Sequence, residues 1–142
     1  MLYQGYNLGA ERAKGQYILF LSPEAVLPHD FLLRSIDEYQ KHPDSWISSC
    51  AITDANGQEK RESRRNLLTP ATLISEKLGL YTLSAKRYPR LNLSQNKPPL
   101  ESVENIAPNA MCMLIETNRF KQLGGFNEAY FYAAGDMDIA LR

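Results

Sequence analysis

Two carboxylate-bearing turns hold the residue types best suited to chemistry. The first, Ser22-Pro23-Glu24, follows the apolar run Tyr17 to Leu21. A carboxylate beyond the end of a strand can hold a hard divalent cation, which in turn neutralises a diphosphate leaving group. The second, Gly135-Asp136-Met137-Asp138, follows the aromatic stretch from Phe126 to Tyr132. Two acids two apart, on a turn entering a helix, can supply a general base and a group that holds the base or the acceptor. Each turn also has a plainer reading. Glu is usually solvated, and acids in a first helical turn complement the helix dipole. Phe126, Tyr130, Phe131 and Tyr132 are equally ambiguous, since such rings form cores and also line sugar sites. His29 and His42 have no companions at metal-ligand spacing and read as surface residues.

The elements that must position these groups follow from pattern. Asn7 to Lys14 is rich in helix formers, and Gly15 marks its stop. Tyr17 to Leu21 reads as a short buried strand with a turn at Ser22 and Pro23. A helix is expected from Pro28 to Lys41, where Phe31, Leu32, Ile36 and Tyr39 recur at helical spacing. Trp46 to Ile52 is a second β-type run, followed by a turn with Asn56-Gly57 at its tip. Ser102 to Glu116 is an extended run in two parts, broken at Pro108. Thr117 is suited to cap a helix from Asn118 to Leu123, which Gly124-Gly125 ends. Strands alternating with helices predict an α/β layered domain with a mostly parallel sheet flanked by helices. Ligands of such sheets gather beyond the carboxyl ends of the strands, where Glu24 stands.

Bulk properties narrow the function classes. The chain has 142 residues, enough for one domain with its own core. Formal net charge is zero and the isoelectric point is about 6.7, so nothing asks for a nucleic-acid partner. Cys50 and Cys112 lie in apolar runs and read as small buried hydrophobes of a reducing compartment, not as a zinc site or disulfide frame. Neither a signal peptide nor a membrane-spanning run is evident, so a cytoplasmic location is expected. Both ends look trimmed, since the chain begins almost at a helix and stops just after a patterned acidic segment. Residues 60–102 differ in character: Lys60, Arg64, Arg65, Lys77, Lys86, Arg87 and others outnumber the acids and alternate with leucines. Such a basic amphipathic insertion can lie on an anionic membrane surface or stand as a solvated excursion.

Three stretches in order, "YNLGAERAKGQYILFLSPEAVLPHDF", "ITDANGQE" and "NAMCMLIETNRFKQLGGFNEAYFYAAGDMDIALR", resemble the family 2 inverting glycosyltransferases of the GT-A fold. The likeness is to the bacterial rhamnosyltransferase-like branch that builds cell-surface polysaccharides. It implies a partial GT-A, Rossmann-like domain, and Mg2+ or Mn2+ held by Glu24 and Ser22. It implies Asp136 as the base that deprotonates the acceptor, with Asp138 as the acid after it. It implies substrate binding by Asn109, Ala110 and Met111 beside the donor sugar, by Asn127 and Glu128 on the pair after Gly-Gly-Phe, and by Arg142 on the closing Arg. The sequence departs from that pattern at Ser22, at Asn127 in place of Asp, at Gly135 in place of Glu, and at Ala110-Met111 in place of Gly-Ala. The family's amino-terminal strands, which bind the nucleotide base, have no counterpart here. The expected partners are therefore a nucleotide-sugar donor and a glycan or lipid-linked acceptor, with peripheral contact at the inner face of the membrane. The resemblance implies the acceptor-side catalytic portion of an inverting transferase. A non-catalytic remnant that binds glycan or another subunit, and a membrane-surface scaffold acting through residues 60–97, are the alternatives.

Overall fold

A computed structural model describes residues 2–60, 63–67, 69–83, 106–130 and 134–142. In chain order the elements are α1 (Leu2–Arg12), β1 (Tyr17–Leu21), α2 (Phe31–Lys41), β2 (Ile47–Ser49), β3 (Arg65–Asn66), α3 (Pro70–Leu78), a 3-10 turn (Leu80–Thr82), β4 (Ile106–Ala107), β5 (Cys112–Glu116), α4 (Thr117–Gln122) and α5 (Gly135–Leu141). They fall into two compact units, Met1–Cys50 with Pro108–Arg142, and Ala51–Ala107.

The first unit is built on a three-stranded sheet of order β1-β5-β2. Its central strand comes last in sequence and runs antiparallel to both neighbours. The mostly parallel pairing expected from the order strand, helix, strand is thus not found: every ladder among the described residues is antiparallel. The reason is that β1 and β2 do run in the same direction, linked by α2 as in a βαβ unit, but β5 is inserted between them. Alternation along a strand cannot reveal a partner that arrives more than 60 residues later.

Pairing sets the core. Ile18 and Ile47 flank Ile115 across the sheet, and Phe20 faces Met113. Met113 and Ile115 on one face and Cys112 and Leu114 on the other are all buried, so β5 is covered on both faces. One face packs against Tyr3, Ala10, Phe120, Phe126 and Ile139, drawn from α1, α4, α5 and the turn after α4. On the other face Tyr39 of α2 meets Tyr17 edge to face at 5.7 Å, and Gln40 Nε2 donates to the Tyr17 hydroxyl.

Several boundaries differ from the pattern for local reasons. The first helix begins at Leu2, five residues before the expected Asn7. Tyr3, Tyr6 and Ala10 form one inward stripe, and its burial outweighs the poor propensity of Gly5, Gly9 and the aromatics. The second helix starts at Phe31, with Pro28 lying in the preceding turn, where its carbonyl accepts from the Phe31 N–H. Thr117 does not cap α4: the helix starts at Thr117 itself, and its hydroxyl donates to the Gly15 carbonyl at 2.6 Å. That bond ties α4 to the loop before β1.

In the second unit the Asn56-Gly57 tip is present, with Gly57 at a positive φ and Thr53 bridged to Glu59. Glu59 and Arg64 form a two-pronged pair at 2.6 and 2.8 Å. The basic segment falls largely in this unit, and Arg61, Lys86, Arg87, Arg90 and Lys97 lie outside the described residues. Its described helix α3 leaves Leu73, Ile74 and Leu78 exposed beside Lys77. Among the described residues no helix is long and apolar enough to cross a membrane.

Candidate functional site

The carboxyl end of β1, the entry to β5 and the start of α5 meet in the first unit. Beyond the last β1–β5 pair, Leu21 with Cys112, the Ser22 N–H donates to the Met111 carbonyl at 2.8 Å. The Ala25 N–H then returns to the Ser22 carbonyl at 3.0 Å, closing a turn with Pro23 and Glu24 at its centre. Pro23 presets the φ that this turn requires, and Glu24 is left exposed.

One residue before Met111, the Ala110 N–H donates to Asp136 Oδ2 at 3.3 Å, while the Met137 N–H donates to Oδ1 at 2.9 Å. Asp136 is only 6% exposed. These two backbone donors fix the orientation of its carboxylate.

Asn109 shapes the same segment. Its Oδ1 accepts from the Met111 N–H at 2.9 Å, its carbonyl accepts from Cys112, and its own N–H donates to Ser49 Oγ at 3.0 Å. Ser49 Oγ in turn donates to the Cys112 carbonyl at 3.0 Å. The buried Asn109 side chain therefore holds the Ala110-Met111 turn in place. Tyr6 supports it from α1, its hydroxyl donating to the Ala110 carbonyl at 3.3 Å. Burial pushes the Tyr6 phenol above its ordinary pKa, so it stays a donor across neutral pH.

Asn127 and Glu128 lie on the turn that precedes α5. Asn127 Oδ1 accepts from the Ala129 N–H at 3.0 Å, and Glu128 Oε1 accepts from Asn7 Nδ2 at 3.0 Å. Asn7 also exchanges both of its amide groups with the Phe126 backbone, at 2.9 Å each. Gly125 sits against it: a Cβ there would lie 2.8 Å from Asn7 Oδ1, and its φ of +73° suits glycine. Arg142 is committed to the same turn, donating to the Leu123 and Gly125 carbonyls at 2.8 and 2.7 Å. Its guanidinium lies 3.0 Å from Asp138 Oδ2, which accepts no aligned hydrogen bond from it. The contact is a charge pair one helical turn apart.

Gly135 has a packing reason. A Cβ at this position would fall 2.6 Å from the ring of Tyr3, so the aromatic stripe of α1 excludes a larger residue beside Asp136. The preceding Ala134 takes a left-handed φ of 72°, an uncommon conformation for a non-glycine residue. Phe126 belongs to the core, whereas Phe131 and Tyr132 lie outside the described residues.

Ser22, Asn109, Ala110, Met111 and Asp136 are thus linked by direct hydrogen bonds, and Glu24 stands two residues beyond Ser22. Asn127, Glu128 and Arg142 instead hold the turn before α5, with Asp138 paired to Arg142. Residue type alone assigns no role to Tyr3, Tyr6, Asn7 or Ser49: the helical spacing of Tyr3, Tyr6 and Ala10 marks core, and no pattern marks Ser49. Among the described residues no group of three or more His, Cys, Asp or Glu gathers to hold a metal. One carboxylate still suffices for Mg2+ when substrate phosphates and water complete the shell, so Glu24 fits a shared site but not a protein-built cage.

No family model matches the chain, and no solved structure matches it. It is 24% identical over 143 aligned residues to rhamnosyltransferase WbbL of Escherichia coli (strain K12), an alignment covering 92% of this chain. The chain spans 46% of the length of that relative. At this identity the similarity supports a distant, glycosyltransferase-like relationship and no more.

Proposed function

We propose that the chain carries the acceptor-side catalytic portion of an inverting, nucleotide-sugar-dependent glycosyltransferase of the GT-A kind. The observation that supports this most is the bond of Ala110 to Asp136 beside that of Ser22 to Met111, which sets a fixed carboxylate next to the turn bearing Glu24. Asp136 takes the proton of an acceptor hydroxyl, whose oxygen bonds to the anomeric carbon as the bond to the diphosphate breaks. Displacement from the opposite face inverts that carbon. Glu24 and Ser22 would hold Mg2+ or Mn2+, which would supply positive charge to offset that of the diphosphate. The Asn109–Met111 turn lines the donor sugar, and the acceptor is a glycan on a lipid carrier, as in cell-surface polysaccharide synthesis.

The exposed Leu73, Ile74 and Leu78 beside Lys77 favour peripheral contact with an anionic membrane. Sedimentation with anionic and neutral vesicles at low salt tests this: retention on the anionic vesicles alone supports it.

The reading as a transferase is tested by titrating the purified chain with nucleoside diphosphates and Mn2+, then supplying a panel of nucleotide sugars that includes a rhamnosyl donor. Binding, with sugar release that Asp136→Asn abolishes, is the expected outcome. Absence of binding at millimolar ligand would favour the non-catalytic remnant instead.

A further inference from the structure

Cys50 and Cys112 face each other across the sheet. The β2–β5 register pairs Ser49 with Met113, and one further step sets Cys50 opposite Cys112. Directly opposed residues of an antiparallel pair have Cα atoms about 4.5–5.5 Å apart, within the range that a disulfide spans. The two sulfurs are 3.4 Å apart, and both thiols are free. Cys112 is buried at the head of β5, whereas Cys50 is partly exposed.

We propose that Cys50 and Cys112 are a reversible thiol–disulfide pair, closed by a low-molecular-weight disulfide and reopened by a dithiol, and that closure shifts the Asn109–Met111 turn beside Asp136. The claim concerns the chemistry of this site and does not depend on which reaction the site performs.

Cys50 is the attacking thiol. The hydrogen bond from Cys112 lowers its pKa most, burial opposes this, and Ser35 of α2 lowers it further. Its thiolate attacks the external disulfide, RS–SR, forming Cys50–S–SR and releasing RS⁻. The Cys112 thiol is held well above its ordinary pKa, first by its hydrogen bond to Cys50, then by burial and the Cys50 charge. Capping Cys50 removes the first and third of these causes. Cys112 then gives up its proton to RS⁻ and attacks the Cys50 sulfur, expelling the second RS⁻, which takes up the Cys50 proton from solvent. Two protein thiols and one RS–SR become one protein disulfide and two RSH.

Bond formation draws the sulfurs from 3.4 Å to about 2.05 Å, an approach of roughly 1.3 Å. The Cys112 carbonyl and the Asn109 N–H share the Ser49 hydroxyl, so the displacement at Cys112 is passed to the turn whose Ala110 N–H holds Asp136.

The test equilibrates the full chain in mixtures of oxidised and reduced glutathione, quenches with acid, alkylates in denaturant, and reads intact mass and peptide map. The expected result is joint loss of both alkylation sites, a Cys50–Cys112 cross-linked peptide, and full recovery with dithiothreitol. The C50S chain should keep Cys112 alkylatable throughout. Two free thiols in excess oxidised glutathione, a stable glutathione adduct at Cys50, or a bond only between chains would overturn the pair. Backbone amide resonances of Ala110 and Met137 should differ between the two forms; unchanged resonances in a closed disulfide would overturn the link to Asp136.

Discussion

Glu24 and Asp136 are carboxylates on turns that meet through neighbouring backbone, yet they are held in opposite ways. Asp136 is buried, receives an N–H on each oxygen, and sits between a glycine that admits the Tyr3 ring and a helix that begins at its own turn. Glu24 is exposed on a proline turn, and its orientation is left to whatever binds there. The difference matches the two tasks proposed. A base must be oriented before the acceptor arrives, whereas a residue that shares a cation with a diphosphate is completed by its substrate.

Substitutions sharpen that contrast, beginning with the largest effect. Asp136→Asn keeps an acceptor for a backbone N–H but removes the base, so transfer should fall by about 10²–10⁴-fold while nucleotide affinity holds. Initial-rate kinetics beside calorimetric titration would separate the two. Asn7→Ala strips both partners from the buried Phe126 backbone and frees Glu128, and should cost about 1–3 kcal/mol. A lowered urea midpoint with unchanged slope is the expected readout. Gly135→Ala drives a methyl into the Tyr3 ring, and overpacking of this kind costs about 1–3 kcal/mol. Ala134→Gly relieves a left-handed backbone at the price of a looser unfolded chain, for a net gain of about 0.5 kcal/mol in thermal unfolding. Glu24→Gln should leave stability within about 0.5 kcal/mol, as expected of an exposed side chain, while weakening the Mn2+ dependence of nucleotide binding.

What sequence disclosed, and what it hid, follows from range. The run Tyr17–Leu21, the Asn56-Gly57 turn and the Gly124-Gly125 stop are local devices, readable from a few residues. The position of β5 between β1 and β2 is not local, and neither is the antiparallel pairing that follows from it. Ser22, Glu24 and Asp136 stand out in sequence as carboxylates and a hydroxyl on turns, while the bonds that bring Ser22 and Asp136 to the Ala110-Met111 turn appear only in the fold. Tyr3 does not stand out, since only the fold brings its ring against Gly135 and so explains why no larger residue precedes Asp136. Arg142 lies on the same side: the resemblance implies a substrate contact, and only the fold shows its donors serving the carbonyls of Leu123 and Gly125.

The central claim is that Asp136 is the base of a sugar transfer and not merely a structural acid. Its most direct test is turnover of a nucleotide sugar by the wild-type chain and by Asp136→Asn, with nucleoside diphosphate affinity measured on both. Equal affinities with turnover confined to the wild type are predicted. Turnover in Asp136→Asn within about tenfold of the wild type would contradict the account.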